Sequence, residues 1–226
     1  MPGTDTPPWV FAIVGAESTG KSTLAEALAV QLAQATGWRC TWVPEFLREW
    51  CEREGRTPDV HEQEAIAAEQ GRRIDAAATE HDIVVCDTTP LMTAVYHRQV
   101  FDDSSMDDAA LDWQRRRCTL TLLTALDLPW QADGLQRDGA HVREPVDAML
   151  RALLIQAGLP FVVVGGLGEA RSEAALDAVA PFLRQAKKAS PAPGLFSRLA
   201  ARDAAQPEWR WVCETCDVPD CEHAAR

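Results

Sequence analysis

The sequence predicts an α/β fold, in which a parallel sheet of five strands carries helices on both faces. Short apolar runs alternate along the chain with longer segments whose apolar residues recur every three or four positions. Within these runs the apolar residues follow one another almost without interruption, which is typical of strands covered on both sides. A glycine-rich turn also joins the first run to the first helical segment, as in many parallel sheets.

Five apolar runs are the predicted strands, at residues 11–14, 39–45, 82–87, 120–126 and 160–166. Helices are predicted where apolar residues recur at helical spacing. They cover the segment from Leu24 to the stop signal Gly37, and residues 57–78, 89–118, 146–158 and 170–188. The helix over 57–78 begins with a capping box between Asp59 and Glu62. The segment 89–118 is interrupted near an acidic run at 102–108.

Residues 1–188 are expected to form one domain, and residues 189–226 a linker with a Cys-rich C-terminal tail. One core of ordinary size is enough for 226 residues. The stretch 187–194 combines charge, proline and glycine, as linkers do.

Composition narrows the classes of function. Hydrophobic residues make up 46% and charged residues 25%, a normal globular mixture. A net charge of −12 opposes sequence-independent binding to nucleic acids and anionic membranes. No signal peptide is expected, and no apolar stretch approaches the ~20 residues of a membrane span. Four scattered cysteines indicate small buried residues in a reducing compartment: Cys40, Cys51, Cys86 and Cys118. A cytoplasmic protein is expected, of undetermined oligomeric state.

Residues 15–22 match Gly-x-x-x-x-Gly-Lys-Ser, directly between the first strand and the first helix. Gly15 and Gly20 let the backbone curl, so that successive N–H groups face phosphate oxygens. The helix N-terminus adds a positive partial charge. Lys21 would contact the β- and γ-phosphates of ATP, and the Ser22 hydroxyl would ligate Mg²⁺. The segment is therefore a predicted nucleotide site.

Polar residues also follow the second and third strands, where ligands of parallel sheets gather. Asp87 ends the third strand and is predicted to hold Mg²⁺ through water beside Ser22; the alternative is a helix cap. Glu45 ends the second strand, and Arg48 follows one helical turn later. Glu45 could accept a proton from an attacking hydroxyl, with Arg48 orienting the acceptor. The alternative is a solvated pair that contributes a few tenths of a kcal/mol.

A loop punctuated by proline and glycine, at about residues 127–143, is the predicted lid. An arginine from this loop, Arg137 or Arg143, could stabilise the charge of a transferring phosphoryl group. Both are surface charges in the alternative interpretation, although loops this long are usually functional or disordered. Trp130 lies in the same loop, where its indole face could attract a cationic substrate; the alternative is a core tryptophan.

Five segments together resemble the ribosylnicotinamide kinase domain of NadR-type proteins, a P-loop AAA domain of the nucleoside and nucleotide kinase kind. They are GAESTGKSTLAEALA (15–29), VPEFLREW (43–50), AAEQGRR (67–73), VVCDTT (84–89) and LPWQADGLQRDG (128–139). The resemblance covers roughly residues 9 to 185. The phosphate loop is common to thousands of NTPases, whereas its combination with the other segments is much more specific.

The resemblance implies a P-loop NTPase fold and a set of site residues. ATP phosphates would be bound by the loop residues Gly15, Ala16, Glu17, Ser18, Thr19, Gly20, Lys21, Ser22 and Thr23. The acceptor side would be lined by Glu45, Arg48, Gln70 and Asp87, with Arg137 as a lid arginine. Thr89 stands where the family often has an aspartate.

The tail lies outside the resemblance. It contains a Cys-x2-Cys-x4-Cys-x-His run, formed by Cys213, Cys216, Cys221 and His223. Three thiolates and one imidazole could complete a tetrahedral zinc shell. Reduced thiols on a frayed terminus are the alternative.

These observations predict an ATP- and Mg²⁺-dependent kinase that acts on a small-molecule hydroxyl, with nicotinamide riboside as the first candidate. The expected catalytic residues are Lys21, Glu45, Asp87 and Arg137. The alternative is a nucleotide-dependent regulatory ATPase whose partner is a protein. Glu45 distinguishes the two, because a switch needs no acceptor pocket beside the second strand.

Overall fold

A computed structural model describes residues 8–131 and 139–185. Its single sheet has five parallel strands in the order β2-β3-β1-β4-β5. The strands are β1 (Trp9–Val14), β2 (Cys40–Val43), β3 (Ile83–Asp87), β4 (Leu120–Thr124) and β5 (Phe161–Val164). The helices are α1 (Lys21–Thr36), α2 (Phe46–Glu54), α3 (Gln63–Glu80), α4 (Pro90–Phe101), α5 (Asp107–Arg117), α6 (Arg143–Gln156) and α7 (Glu169–Gln185). This confirms the predicted parallel sheet.

The central strand β1 shows how helices cover both faces. Val10 belongs to an apolar cluster with Ile74 of α3, whereas the ring of Phe11 lies edge-on to Phe182 of α7 at 6.3 Å between centroids. Alternate side chains of a strand point to opposite faces. Helices α1 and α7 pack together on one face, while α3, α4, α5 and α6 form a contiguous layer on the other. Both faces of the central strands are therefore buried, as the apolar runs predicted, whereas Val162 and Val163 of the edge strand β5 are exposed.

Several local signals act as predicted. Gly37 ends α1 in a left-handed conformation, with its N–H donating to the Ala33 carbonyl. The capping box of Asp59 and Glu62 forms completely, although it caps a 3₁₀ turn (Val60–Glu62) that leads into α3. The acidic run at 102–108 separates α4 from α5.

Other boundaries differ from the prediction. The strands over 39–45, 120–126 and 160–166 are shorter, because their last residues belong to the loops at the edge where ligands gather. Helix α6 begins at Arg143 through a 3₁₀ turn (Ala140–Val142), so the lid predicted to extend to 143 ends sooner. Helix α2 was not predicted beyond a turn at 45–48. Its nine residues include five charged ones, which obscure the apolar stripe.

Two predicted features lie outside the described residues. One is Arg137, within 132–138, and the other is the linker and tail over 189–226, with Cys213, Cys216, Cys221 and His223. The lid arginine and the zinc site therefore stay predictions. Within the described part of the chain, no helix combines the length and apolar character that a bilayer span requires.

Candidate active site

The phosphate loop connects β1 to α1 through conformations that require glycine. Gly20 has a φ of 74° at the N-cap of α1. Gly15 has a φ of 152°, and a Cβ there would lie 2.0 Å from Thr124 Oγ1. Thr124 ends β4, and its hydroxyl donates to Thr19 Oγ1 at 2.7 Å. Thr124 of the neighbouring strand thus packs directly against the loop. Only a glycine at position 15 leaves room for this contact.

The Ala16 carbonyl organises the inside of the loop. Thr19 Oγ1 donates to it at 2.8 Å, and Lys21 Nζ donates to it at 2.9 Å. The ammonium of Lys21 therefore folds back over the loop. Ser18 has a φ of 54°, and Thr88, the residue after Asp87, has a φ of 67°. Such left-handed conformations are uncommon for side-chain-bearing residues and cluster at functional sites.

Asp87 ends β3 next to the start of α1. The Ser22 hydroxyl donates a hydrogen bond to its carboxylate, and the charges of Lys21 and Arg48 act on it. Burial nevertheless raises the pKa of Asp87 above its usual range. Its Oδ1 is buried and has no hydrogen-bond partner among the described residues. An unsatisfied carboxylate oxygen beside a serine hydroxyl fits Mg²⁺, which takes one or two carboxylates and keeps several waters.

A cavity of about 790 Å³ brings the predicted residues together. Its walls include the loop from Ser18 to Thr23, Asp87, and the segment Leu128–Gln131 without Trp130. Glu45 and Arg48 line it from the start of α2, beside Trp42. Sequence reasoning missed Glu49 and Glu52, which line the same cavity one and two turns further along α2. The cavity is large enough for a bound ligand of ordinary size.

Gln70 occupies a different place from the one predicted. It is buried in α3, where its Oε1 accepts from the Phe46 N–H at 2.7 Å and its Nε2 donates to the Pro44 carbonyl at 3.4 Å. Its amide thus holds the backbone on both sides of Glu45. It lines neither of the two cavities next to the phosphate loop in the described residues.

The segment after β4 is anchored to the phosphate loop. The Ser18 hydroxyl donates to the Gln131 carbonyl at 2.7 Å and accepts from the Gln131 N–H at 3.1 Å. Arg143 is buried at the start of α6 and donates to the Leu128 carbonyl at 2.8 Å. It supports the base of the predicted lid. Trp130 is partly buried, and its Nε1 has no hydrogen-bond partner among the described residues.

Arg171 supports the site, and sequence reasoning missed it. It is 5% exposed at the start of α7. Its guanidinium donates to the Thr19 carbonyl at 2.6 Å and to the Gly166 carbonyl at 2.9 Å, and it pairs with Asp127. A single arginine in the first turns of a helix resembles a surface charge. Here it ties the phosphate loop to the loops after β4 and β5.

Thr89, at the position where the resemblance would place an aspartate, faces the core. Its hydroxyl donates to Gln114 Oε1 at 2.8 Å, and Gln114 Nε2 donates to Thr121 Oγ1 at 2.9 Å. All three side chains are buried. Asp87 is therefore the only carboxylate of the DTT segment.

A second cavity of about 130 Å³ adjoins the first. Ser18, Lys21, Glu45 and Arg48 line both. The smaller cavity extends from these residues towards α3 and the end of α4. The phosphate loop and the start of α2 thus border two adjacent spaces.

Comparison with known proteins gives a family and a fold. The sequence profile of the AAA domain matches residues 10–171. No curated protein matches the chain in sequence.

Three crystal structures share the fold. NadR protein in complex with NAD and AMP-PNP superimposes with a TM-score of 0.61 at 19% identity, over 77% of this chain and 49% of that one. NadR protein in complex with NR gives 0.62 at 20% identity, over 77% and 50%. Thymidylate kinase from Ehrlichia chaffeensis gives 0.51 at 14% identity, over 78% and 100%. The chain spans about half the length of the NadR chains, and the likeness confirms the P-loop NTPase fold.

Proposed function

The chain belongs to the AAA domain family, and we propose that it is an ATP- and Mg²⁺-dependent kinase with a small-molecule acceptor. We further propose that the acceptor is a nucleoside, with nicotinamide riboside as the first candidate. The observation that carries the proposal is the 790 Å³ cavity, because it places Glu45 and Arg48 in one space with Lys21 and Asp87. A general base and a phosphate site must share a space for phosphoryl transfer to a hydroxyl.

In the proposed reaction, the phosphate loop and Lys21 bind the phosphates of ATP. Ser22 and Asp87 would hold Mg²⁺, which neutralises phosphate charge when it is bound. Glu45 accepts the proton of the attacking hydroxyl, while Arg48 orients the acceptor. A bond forms between that oxygen and the γ-phosphorus, the bond to the bridging oxygen breaks, and ADP leaves. Catalysis is mostly positioning and electrostatic stabilisation.

The charge of the molecule supports a cationic acceptor. Nicotinamide riboside carries a fixed positive charge on its pyridinium ring. The chain has a net charge of −12, and Glu45, Glu49 and Glu52 all line the larger cavity. Acidic surroundings favour encounter with a cation over an anion. The sequence predicts that Trp130 stacks on the ring, where an indole face contributes ~0.5–2 kcal/mol, although Trp130 lines neither of the two cavities in the described residues.

A screen of ATP consumption across nucleosides tests this function. Nicotinamide riboside is expected to outperform adenosine, cytidine, uridine and thymidine. Trp130→Leu tests the predicted stacking: a KM for nicotinamide riboside raised about tenfold, with the KM for ATP spared, would put the ring against this loop, and an unchanged KM would leave it in the smaller cavity. Preference for a neutral nucleoside would refute the pyridinium acceptor but keep the kinase. Slow hydrolysis without any acceptor effect would instead favour the regulatory ATPase.

A further inference from the structure

The 130 Å³ cavity beside the phosphate loop carries an inference about the acceptor, which depends on the proposed kinase function. We propose that this cavity binds the base of the acceptor, that it admits a single six-membered ring and excludes fused two-ring bases, and that Gln63 recognises an N–H donor on that ring. The substrate class is thus a nucleoside with a monocyclic base that carries an amide or amino group.

The volume of the cavity limits the ring. An apolar protein cavity of about 150 Å³ binds benzene. The space here is about 130 Å³, so it fits one such ring. A fused purine is substantially larger than this space and would extend beyond it.

Gln63 supplies a polar group that is ready for a ligand. It is the first residue of α3, is 6% exposed, and lines the smaller cavity. Its Oε1 is buried and has no hydrogen-bond partner among the described residues. Leaving a buried acceptor unsatisfied costs about 1–3 kcal/mol. A ring N–H donor would satisfy this oxygen, and an analogue without the donor would leave it unsatisfied.

The remaining walls suit the faces of a flat ring. Tyr96, Val100 and Phe101 line the cavity from the second half of α4. Val100 is 55% exposed and Phe101 36% exposed, although both are apolar. Small-molecule sites typically combine apolar and aromatic walls with a few polar groups that fix orientation. Gln63 would have that orienting role here.

The position of the cavity matches a reaction at the attached sugar. Ser18, Lys21, Glu45 and Arg48 line both cavities. With its ring in the smaller space, a nucleoside would therefore have its sugar beside the proposed base Glu45 and the phosphate-binding Lys21. The γ-phosphate of ATP would approach through the larger cavity.

The test is nucleoside binding by calorimetry in the presence of ADP, together with turnover. The ligands are nicotinamide riboside, the pyridinium riboside without its carboxamide, cytidine and guanosine. We expect the single-ring amide and amine ligands to bind at least tenfold more tightly than guanosine. Removing the carboxamide should weaken binding to unaltered protein about tenfold, and this comparison needs no variant.

Two variants complete the experiment. Gln63→Leu should weaken the binding of nicotinamide riboside about tenfold but leave the binding of the riboside without a carboxamide nearly unchanged. The reason is that the variant and the missing carboxamide each remove the same hydrogen bond, one from the protein and one from the ligand. Gln31→Leu is the control, since Gln31 on α1 also has a buried Oε1 without a described partner but lines neither cavity. It should leave all four affinities unchanged.

The outcomes separate this inference from the kinase function. Selective binding without turnover would support the ring site and contradict the kinase. The ring site would be overturned, and the kinase kept, by turnover together with either of two results. One is that guanosine binds as tightly as nicotinamide riboside; the other is that Gln63→Leu lowers the affinity for both pyridinium ribosides equally. Absence of both binding and turnover would overturn both.

Discussion

Asp87 is a residue for which folding favours the neutral carboxyl group, whereas the proposed chemistry needs the charged one. Burial raises its pKa, so the folded chain binds the proton of this carboxyl more tightly than the unfolded chain does. The resulting stabilisation is present at low pH and is lost as the pH rises through the raised pKa. At neutral pH the buried charge therefore destabilises the protein, whereas Mg²⁺ binding requires that charge.

Asp87→Asn is accordingly expected to raise the Tm of the protein without nucleotide or metal while abolishing turnover. The gain should be roughly 2–4 °C for each kcal/mol recovered. Calorimetry at neutral and at acidic pH would show the gain shrinking as wild-type Asp87 becomes protonated. A lower Tm at neutral pH would mean instead that the hydrogen bond from Ser22 outweighs the cost of burial.

Glu45 tests the chemical step. If it is the general base, Glu45→Gln should lower kcat by roughly 10²-fold or more, with ATP affinity nearly unchanged. Steady-state kinetics and ATP titration measure both quantities. Glu64→Gln on the exposed side of α3 is the matched control and should keep wild-type kcat. A loss limited to thermal stability would support the solvated pair with Arg48.

Single residues were predictable where the signal is local. The phosphate loop and Asp87 could be found because their chemistry depends on neighbours in sequence. The contacts of Arg171 and the backbone partners of Gln70 could not, because they depend on residues that are distant along the chain. Gln70 was expected at the acceptor, yet it bonds to backbone more than twenty residues away.

At the scale of elements, α7 supports the phosphate loop through Arg171. Replacing Arg171 with leucine removes the donors to the Thr19 and Gly166 carbonyls and the ion pair with Asp127, whose carboxylate keeps only the Gly166 N–H among the described residues. The loop should then lose its preorganised shape, and ATP should bind more weakly.

We expect Arg171→Leu to raise the KM for ATP about tenfold, with little change in the KM for the acceptor. Arg72→Leu is the control, because Arg72 is exposed on α3 and, within residues 8–131 and 139–185, forms its ion pair only with nearby Glu69. Kinetics with each substrate varied in turn would show the difference. Equal increases in both KM values would contradict a role specific to the phosphate loop.

The elements themselves were largely predictable. Short apolar runs bounded by polar residues identified all five strands of the described sheet to within a few residues. The strand order was not predicted, because the connections between strands do not encode which strands become neighbours. Helix α2 was missed since its buried Phe46, Trp50 and Cys51 are separated by charges.

At the scale of the whole molecule, net charge should influence which acceptor the protein encounters. The charge of −12 attracts a cationic nucleoside and repels anions, and salt screens both effects. At saturating ATP, the KM for nicotinamide riboside should rise between low and high ionic strength. The KM for cytidine, which is neutral, should stay nearly constant. The same salt dependence for both would contradict electrostatic selection of the acceptor.

The most direct test of the central claim is the transfer of a phosphoryl group from ATP to the acceptor by the phosphate-loop site. Wild-type protein and Lys21→Ala would be incubated with ATP, Mg²⁺ and nicotinamide riboside, and the nucleoside would be analysed by mass spectrometry. Circular dichroism would establish that the variant is folded, which is expected because Lys21 lines the cavity and is not part of the core. We predict a product heavier by one phosphoryl group with the wild type and none with Lys21→Ala. Unchanged product formation by a folded Lys21→Ala variant would contradict the account.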